Sequence, residues 1–84
     1  MYNIGDRYEL KVRFKKKERF GRFYVYEFKD PLYGTVFKWE TRLYKVYDRF
    51  GEEDDLIIRA TIEGKVKEGV YMIKRVELLD RIKG

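Results

Sequence analysis

The chain has 84 residues, a formal net charge of +5, 42% charged side chains and no Cys or His. A chain of this length builds one core, so we expect one domain over residues 1–84, without disulfides and without the usual zinc and haem ligands. No apolar run could span a membrane and the N-terminus lacks a signal-peptide pattern, which predicts a cytoplasmic protein with no membrane partner.

The first predicted strand covers residues 8–15, YELKVRFK, where apolar and polar side chains alternate. Alternation with a period of two is typical of a strand with one buried face. The predicted buried face carries Tyr8, Leu10, Val12 and Phe14. Residues 15–21, KKKERFG, combine like charges with a Gly, and this pattern predicts a loop.

The second predicted strand covers residues 22–29, RFYVYEFK, which are rich in strand-favouring side chains. Its parity places Phe23 and Val25 on the outer face. The predicted core face carries Tyr24, Tyr26 and Phe28. A turn at DPLYG leads into a third strand, TVFKWETR, whose Phe37 and Trp39 share one face and are expected to point inward.

After the third strand the apolar spacing changes to that of a helix. One stripe over the segment LYKVYDRFG is formed by Leu43, Val46, Tyr47 and Phe50. Thr41 is a candidate N-cap and Gly51 a candidate stop. We therefore predict a short helix between the third and fourth strands.

Two more strands are predicted in the last third of the chain. In DLIIRATIEGKVKEG the period of two returns. The residues that share the predicted core face are Leu56, Ile58, Ala60, Ile62 and Val66. Gly64 inside this run indicates a bulge, and the less regular VYMIKRVELLDRI, residues 70–82, indicates another.

Five strands in a chain this short leave two architectures open, an OB-type barrel and an SH3-like barrel. The helix between the third and fourth strands favours the OB type, in which such an element closes one end of the barrel. The predicted fold is therefore all-β, a five-stranded Greek-key OB-fold barrel with a short helix between strands 3 and 4.

Two segments, KKKERFGRFYVYEFKDPLYGTVFKWET and LIIRATIEGKVKEGVYMIKRVELLD, resemble the small OB-fold single-stranded-DNA-binding modules of phage and mobile-element replication proteins. The resemblance covers residues 8–80. It is carried by strand spacing, a charged first loop, an aromatic hairpin with Trp39, Thr41 and the string ATIEGK. It implies a single OB-fold domain whose partner is single-stranded DNA or RNA, although the KVKEG connection is shorter than that family's pattern.

Basic side chains are concentrated in residues 11–22, where seven of the twelve are Lys or Arg and only Glu18 is acidic. Such a cluster is the electrostatic pattern expected for a polyanion ligand. OB-folds that bind single strands use the outer face of strands two and three and the flanking loops. The candidate nucleic-acid-binding residues are Lys15, Lys16, Lys17, Arg19, Phe20, Arg22, Phe23, Lys38, Trp39, Arg42, Lys65 and Lys67.

Simpler interpretations exist for the main candidates. The Lys15–Lys17 run also fits a solvated loop, and Phe20 and Phe23 also fit core packing. Trp39 has the parity of a core residue and is a candidate only through the family resemblance. The acidic EEDD run lacks the spacing of a calcium loop, and no glycine pattern forms a phosphate-binding loop, so we expect no metal and no cofactor.

The predicted function is single-stranded nucleic-acid binding, more specifically DNA binding, with little sequence preference. The alternatives are a protein-interaction or assembly module, including a homo-oligomer or a replication-protein partner, and an engineered barrel with no selected ligand. We do not expect an enzyme, because Ser, Cys and His are absent. The composition, rich in charge and poor in thermolabile side chains, resembles that of thermostable proteins.

Overall fold

Five strands form the secondary structure in the computed structural model, which describes residues 2–42, 51 and 53–82. The strands are β1 (Arg7–Phe20), β2 (Phe23–Lys29), β3 (Val36–Thr41), β4 (Asp55–Lys67) and β5 (Val70–Ile82). They close into one ring in the order β1-β2-β3-β5-β4, which confirms the prediction of a small all-β barrel at this level. The predicted helical stripe from Leu43 to Phe50 lies outside the described residues. Within the described ranges, no helix is long and apolar enough to cross a membrane.

The first strand is shared between two neighbours. Residues Arg7–Arg13 pair with β4, and residues Arg13–Phe20 pair with β2. The register against β2 shifts between Phe14 and Lys16, which makes Lys15 a bulge residue. A bulge bends a strand, so one continuous strand can pair with both neighbours around the ring. All neighbouring strands are antiparallel except β3 and β5, which run parallel.

Alternating apolar side chains fill the interior of the ring, as their parity predicts. The buried members of the predicted core faces are Leu10, Val12, Phe14, Tyr26, Phe28, Phe37, Trp39, Leu56, Ile58, Ala60 and Ile62. Tyr8 and Tyr24 are half-buried and pack against this cluster. Burial of each large side chain stabilises the fold by roughly 1.5–3 kcal/mol, so this alternation fixes the strand registers.

Val66 does not follow the predicted parity. Its side chain is 57% exposed. The register between β4 and β5 shifts between Ile62 and Gly64 and again between Lys65 and Lys67. Each extra residue reverses the alternation, so the predicted irregularity at Gly64 is confirmed and the predicted burial of Val66 is wrong.

The predicted loop over residues 15–21 is also wrong, because β1 continues as a strand to Phe20. Lys17 lies directly opposite Tyr26 in the hairpin. Its ammonium group lies 5.7 Å from the ring centre of Tyr24 and 6.0 Å from that of Tyr26. Contacts between a cation and a ring face are favourable, so rings on β2 stabilise a charged stretch that has the composition of a loop.

The turn of the β1–β2 hairpin contains only Gly21 and Arg22, since Phe20 and Phe23 form the last pair of the ladder. Gly21 has a φ of 60°. A two-residue type II′ turn requires a positive φ at its first position, where Gly has no steric penalty. The glycine therefore sets the hairpin register and holds the two phenylalanines opposite each other.

The last strand contains the irregularity that its sequence predicts. Arg75 has a φ of 52°, and the register against β4 shifts between Arg59 and Thr61. The guanidinium of Arg7 donates a hydrogen bond of 2.8 Å to the carbonyl of Arg75 and one of 3.2 Å to the hydroxyl of Thr61. A side chain of β1 therefore stabilises the bulge in β5.

Tyr2, close to the N-terminus, packs against the core at one end of the ring. Its ring makes edge-on contacts with Tyr8, Phe37 and Tyr71, at centroid distances of 5.0, 5.3 and 5.4 Å. Edge-on aromatic pairs add to the free energy gained by burying the rings. The ring of Tyr2 therefore packs against the core at this end of the barrel.

Candidate nucleic-acid interface

The outer face of β1, β2 and β3 can be read from the ladders, because directly opposed residues point to the same side of a sheet. One row across the three strands is Lys16, Glu27 and Lys38. The next row is Glu18, Val25 and Glu40. The hairpin ends with the opposed pair Phe20 and Phe23. The face thus changes from charged rows to an aromatic pair at the hairpin end.

The aromatic pair lies among arginines. Phe20 is 57% exposed and Phe23 is half-buried. Arg42, just beyond the end of β3, places its guanidinium 5.0 Å from the centre of the Phe23 ring. Arg22 is exposed in the turn between the two rings. The structure therefore brings four of the predicted site residues together at the hairpin end, two rings and two cations.

Carboxylates occupy part of the same face, which the net charge of the segment does not reveal. Lys16 lies 3.0 Å from a carboxylate oxygen of Glu18, and Lys38 lies 4.0 Å from one of Glu27. The hydrogen bond that the Lys16 ammonium donates to the Glu18 carboxylate raises the pKa of Lys16. A phosphate group must compete with these carboxylates, so Lys16 and Lys38 attract a polyanion less than unpaired lysines do.

Lys15, the bulge residue, also has an acidic partner. Its ammonium lies 2.5 Å from a carboxylate oxygen of Glu53. Glu53 precedes β4 and has a φ of 68°, and its backbone N–H donates to the carbonyl of Phe14. Lys15 therefore links the bulge in β1 to the residues just before β4. This ion pair gives a structural role to a lysine that the sequence predicts to contact phosphate.

Lys17 and Arg19 point to the other side of the hairpin from Lys16. They lie opposite Tyr26 and Tyr24. The guanidinium of Arg19 lies 6.0 Å from the Tyr24 ring centre, and its Nε donates 3.1 Å to the carbonyl of Gly21. Strand alternation thus divides the predicted basic cluster between two faces, so it does not form one surface.

Trp39 belongs to the core. It is only 6% exposed, and its ring lies 5.1 Å from the ring of Tyr26. It lies opposite Tyr26 on the inner face of the β2–β3 ladder. A buried ring has no free face for a nucleobase, so the candidate role of Trp39 as a stacking residue is wrong and its parity gives the correct placement.

Lys65 and Lys67 lie toward the opposite end of the barrel from the aromatic pair, and they are in register with the buried Tyr71 and Val70 and not with the outer row of β5. The N–H of Val36, at the start of β3, donates 2.8 Å to the carbonyl of Gly69 in the β4–β5 turn. Lys65 lies 2.9 Å from Glu68 and 5.9 Å from the Tyr71 ring, whereas Lys67 is exposed. The six residues of β3 separate the two ends by about 20 Å, at roughly 3.3 Å per residue.

The sequence did not identify the contribution of β5 to this face. Lys38 of β3 is in register with Met72, and Gly64 of β4 lies on the other side of Met72. Met72 is half-buried and Lys74, two residues along, is exposed. Parity against the buried Tyr71 and Ile73 would have shown which β5 residues point outward, but not that β5 lies beside β3.

The described residues contain no group of three or more acidic side chains arranged to hold a metal ion. Two carboxylates of the outer face, those of Glu18 and Glu27, are instead engaged with lysines. The chemistry of this face is therefore that of ring faces, guanidinium groups and ammonium groups, which suits a ligand with both negative charge and flat apolar surface.

No protein-family model, curated protein or solved structure matches this chain. The resemblance to small OB-fold single-strand-binding modules therefore stays a prediction from the residues that carry it. The function is inferred below from the fold and from the geometry of the outer face.

Proposed function

We propose that the chain is an OB-fold barrel that binds single-stranded nucleic acid on the outer face of β1, β2 and β3. The ring order β1-β2-β3-β5-β4 supports the OB assignment. It makes β3 and β5 parallel neighbours, a crossover that an up-and-down barrel lacks and that a Greek-key barrel contains. The helix predicted after β3 remains part of this proposal.

The observation that carries the binding proposal is the group of Phe20, Phe23, Arg22 and Arg42 at the hairpin end. Phe20 exposes a large apolar ring that contributes little to the core. Arg42 already packs on one ring, at 5.0 Å from the centre of Phe23. Bases stack on such rings with about 1–3 kcal/mol each, while arginines neutralise the adjacent phosphates.

The proposed mode of binding is largely independent of sequence. Every base has a π-face, and the cations contact the phosphate backbone, which is the same at each nucleotide. The acidic partners of Lys16 and Lys38 lower the positive potential in the middle of the face. We therefore expect moderate affinity, concentrated at the hairpin end, and no catalytic activity.

A salt titration tests ligand class and mechanism together. A fluorescently labelled oligo-dT is titrated with the protein at increasing NaCl concentrations, and a labelled DNA duplex of equal length serves as the control. We expect tighter binding to the single strand and an affinity that falls steeply with salt. Absence of binding to oligo-dT at low salt, or equal binding to the duplex, contradicts the proposal.

A further inference from the structure

The ladder between β1 and β2 stops part of the way along β1. At the end of the ladder away from the hairpin turn, the terminal pair is Arg13 with Lys29. Continuing that register places Lys11 opposite Pro31, which has no N–H to donate. The chain turns at this point, where the carboxylate of Asp30 accepts the N–H of Leu32 at 2.8 Å. Pro31 therefore ends the pairing, and among the described residues no strand pairs with the first half of β1 on its β2 side.

The directions of the backbone groups follow from two hydrogen bonds. The N–H of Phe14 donates 2.9 Å to the carbonyl of Asp54, and the carbonyl of Phe14 accepts from Glu53 at 2.8 Å. Because successive residues of a strand direct their N–H and C=O groups to opposite sides, Glu9 and Lys11 direct theirs away from β4. Within the described ranges these groups make no backbone hydrogen bond.

A cleft of about 430 Å³ lies along this free edge. Its lining includes four consecutive β1 residues, from Glu9 to Val12, and the turn residues Asp30, Pro31 and Leu32. Its apolar lining includes Tyr2, Leu10, Val12, Leu32, Phe37 and Leu56. Pockets of roughly 300–1,000 Å³ with apolar walls and a few polar groups are typical of ligand sites. The polar groups here include an unpaired strand edge.

We propose that this cleft binds an extended peptide segment of a partner protein, which adds to the free edge of β1 as a strand. The N–H and C=O groups of Glu9 and Lys11 pair with its backbone. The four lining residues of β1 span about 13 Å at roughly 3.3 Å per residue, enough for a short strand.

The turn residues in the lining of the cleft determine which kind of partner fits there. Asp30, Pro31 and Leu32 line the same cleft as the edge of β1, so a strand added to that edge has this turn close to it. A strand within the sheet of another folded domain has a neighbouring strand there, whereas an isolated extended segment has none. The site therefore suits a lone peptide rather than a second copy of this barrel.

The charges on the rim favour a basic peptide. Among the described residues that line the cleft, Glu9, Asp30 and Asp55 are acidic and Lys11 is basic. Asp55 is already neutralised by the guanidinium of Arg13 at 2.9 Å. Side chains alternate along a strand, so the complementary peptide alternates apolar residues that face the cleft with basic residues that face Glu9 and Asp30.

The test uses a fluorescein-labelled six-residue peptide of alternating valine and lysine, with binding measured by fluorescence polarisation. We expect it to bind at least tenfold more tightly than a valine–glutamate peptide. One analogue is N-methylated on the valines and another on the lysines. Only one set of N–H groups points to β1, so one analogue is expected to lose at least tenfold in affinity while the other binds nearly normally. No binding of the parent at millimolar concentration, or equal binding of both analogues, overturns the proposal.

The β2–β3 turn offers a matched pair of protein variants. Leu32 and Tyr33 are 82% and 83% exposed, but only Leu32 lines the cleft. Leu32→Lys is expected to weaken peptide binding at least fivefold, and Tyr33→Lys to leave it unchanged. Equal losses in both variants contradict the site. Binding of oligo-dT by Leu32→Lys is expected to be normal, so failure of the peptide site and failure of the nucleic-acid face are distinguishable.

Discussion

The ammonium of Lys16 lies 3.0 Å from the carboxylate of Glu18, two positions along the same face of β1. A phosphate that approaches Lys16 therefore competes with a carboxylate already in place. We expect Glu18→Gln to strengthen oligo-dT binding and to steepen the slope of log K against log salt by about 0.7, the value for one additional phosphate contact on a single strand. Glu63→Gln, an equal change in charge on β4, is the control. An unchanged slope for Glu18→Gln would place the bound strand away from Lys16.

Phe20 is the more exposed member of the aromatic pair, so removing its ring is expected to affect ligand binding much more than the stability of the fold. If one base stacks on it, Phe20→Ala is expected to weaken oligo-dT binding by about 1–3 kcal/mol while the melting temperature changes little. Ile4→Ala removes a comparably exposed apolar side chain, 66% against 57%, and is expected to leave binding unchanged. Equal affinity of Phe20→Ala and wild type in fluorescence anisotropy contradicts the stacking role.

The strand assignments came from the sequence because burial imposes a period of two, and Leu10, Val12 and Phe14 show that period without interruption. The run from Lys15 to Lys17 was misassigned because its local signal is electrostatic. In the structure, Lys17 of this run contacts the rings of Tyr24 and Tyr26 on the neighbouring strand. Contacts between strands cannot be recognised from the local sequence pattern.

The candidate site was predicted in part, for a similar reason. The sequence placed Phe23 outward and Trp39 inward by parity, and the structure agrees with both. It did not show that Glu18 and Glu27 are ion partners of nearby lysines. Lys16 and Glu18 share a face only because residues 15–20 form a strand and not the predicted loop, and the contact of Glu27 with Lys38 depends on the β2–β3 register. Local net charge therefore overstated the positive potential of the face.

Trp39 provides a stability test that also reports on its role. It is the only Trp of the chain, its side chain is 6% exposed, and its ring packs against that of Tyr26. We expect Trp39→Ala to lower the free energy of unfolding by about 3–5 kcal/mol, measured by urea denaturation, and Trp39→Phe to cost less. In wild type, oligo-dT should leave the acrylamide quenching of Trp fluorescence unchanged. Quenching protection that grows with bound oligo-dT would identify Trp39 as a ligand contact.

Titration of Tyr2 makes the free energy of unfolding depend on pH in the alkaline range. Burial, with a further contribution from the charge of Asp30, raises the pKa of its hydroxyl above the ordinary value of 10.0. The folded chain thus holds this proton more tightly than the unfolded chain, so the stabilisation is complete below pH 10 and is lost as pH rises through the folded pKa. Tyr2→Phe is expected to reduce the fall in the free energy of unfolding between pH 9 and pH 11. Tyr33→Phe, at an exposed ring, is the control and should retain the wild-type fall.

Gly21 and Gly64 differ in backbone conformation and form a matched pair for the hairpin. Gly21 has a φ of 60°, whereas Gly64 is outside the left-handed region and an added Cβ there meets nothing within 4 Å. We expect Gly21→Ala to lower the free energy of unfolding by about 1–2 kcal/mol, the cost of a left-handed L-residue. Gly64→Ala should be neutral or stabilising by about 0.5 kcal/mol, since Gly in a strand costs conformational entropy. Because Gly21 holds Phe20 opposite Phe23, Gly21→Ala should also weaken oligo-dT binding under conditions where the variant is fully folded, and normal binding there would show that the two rings do not act together.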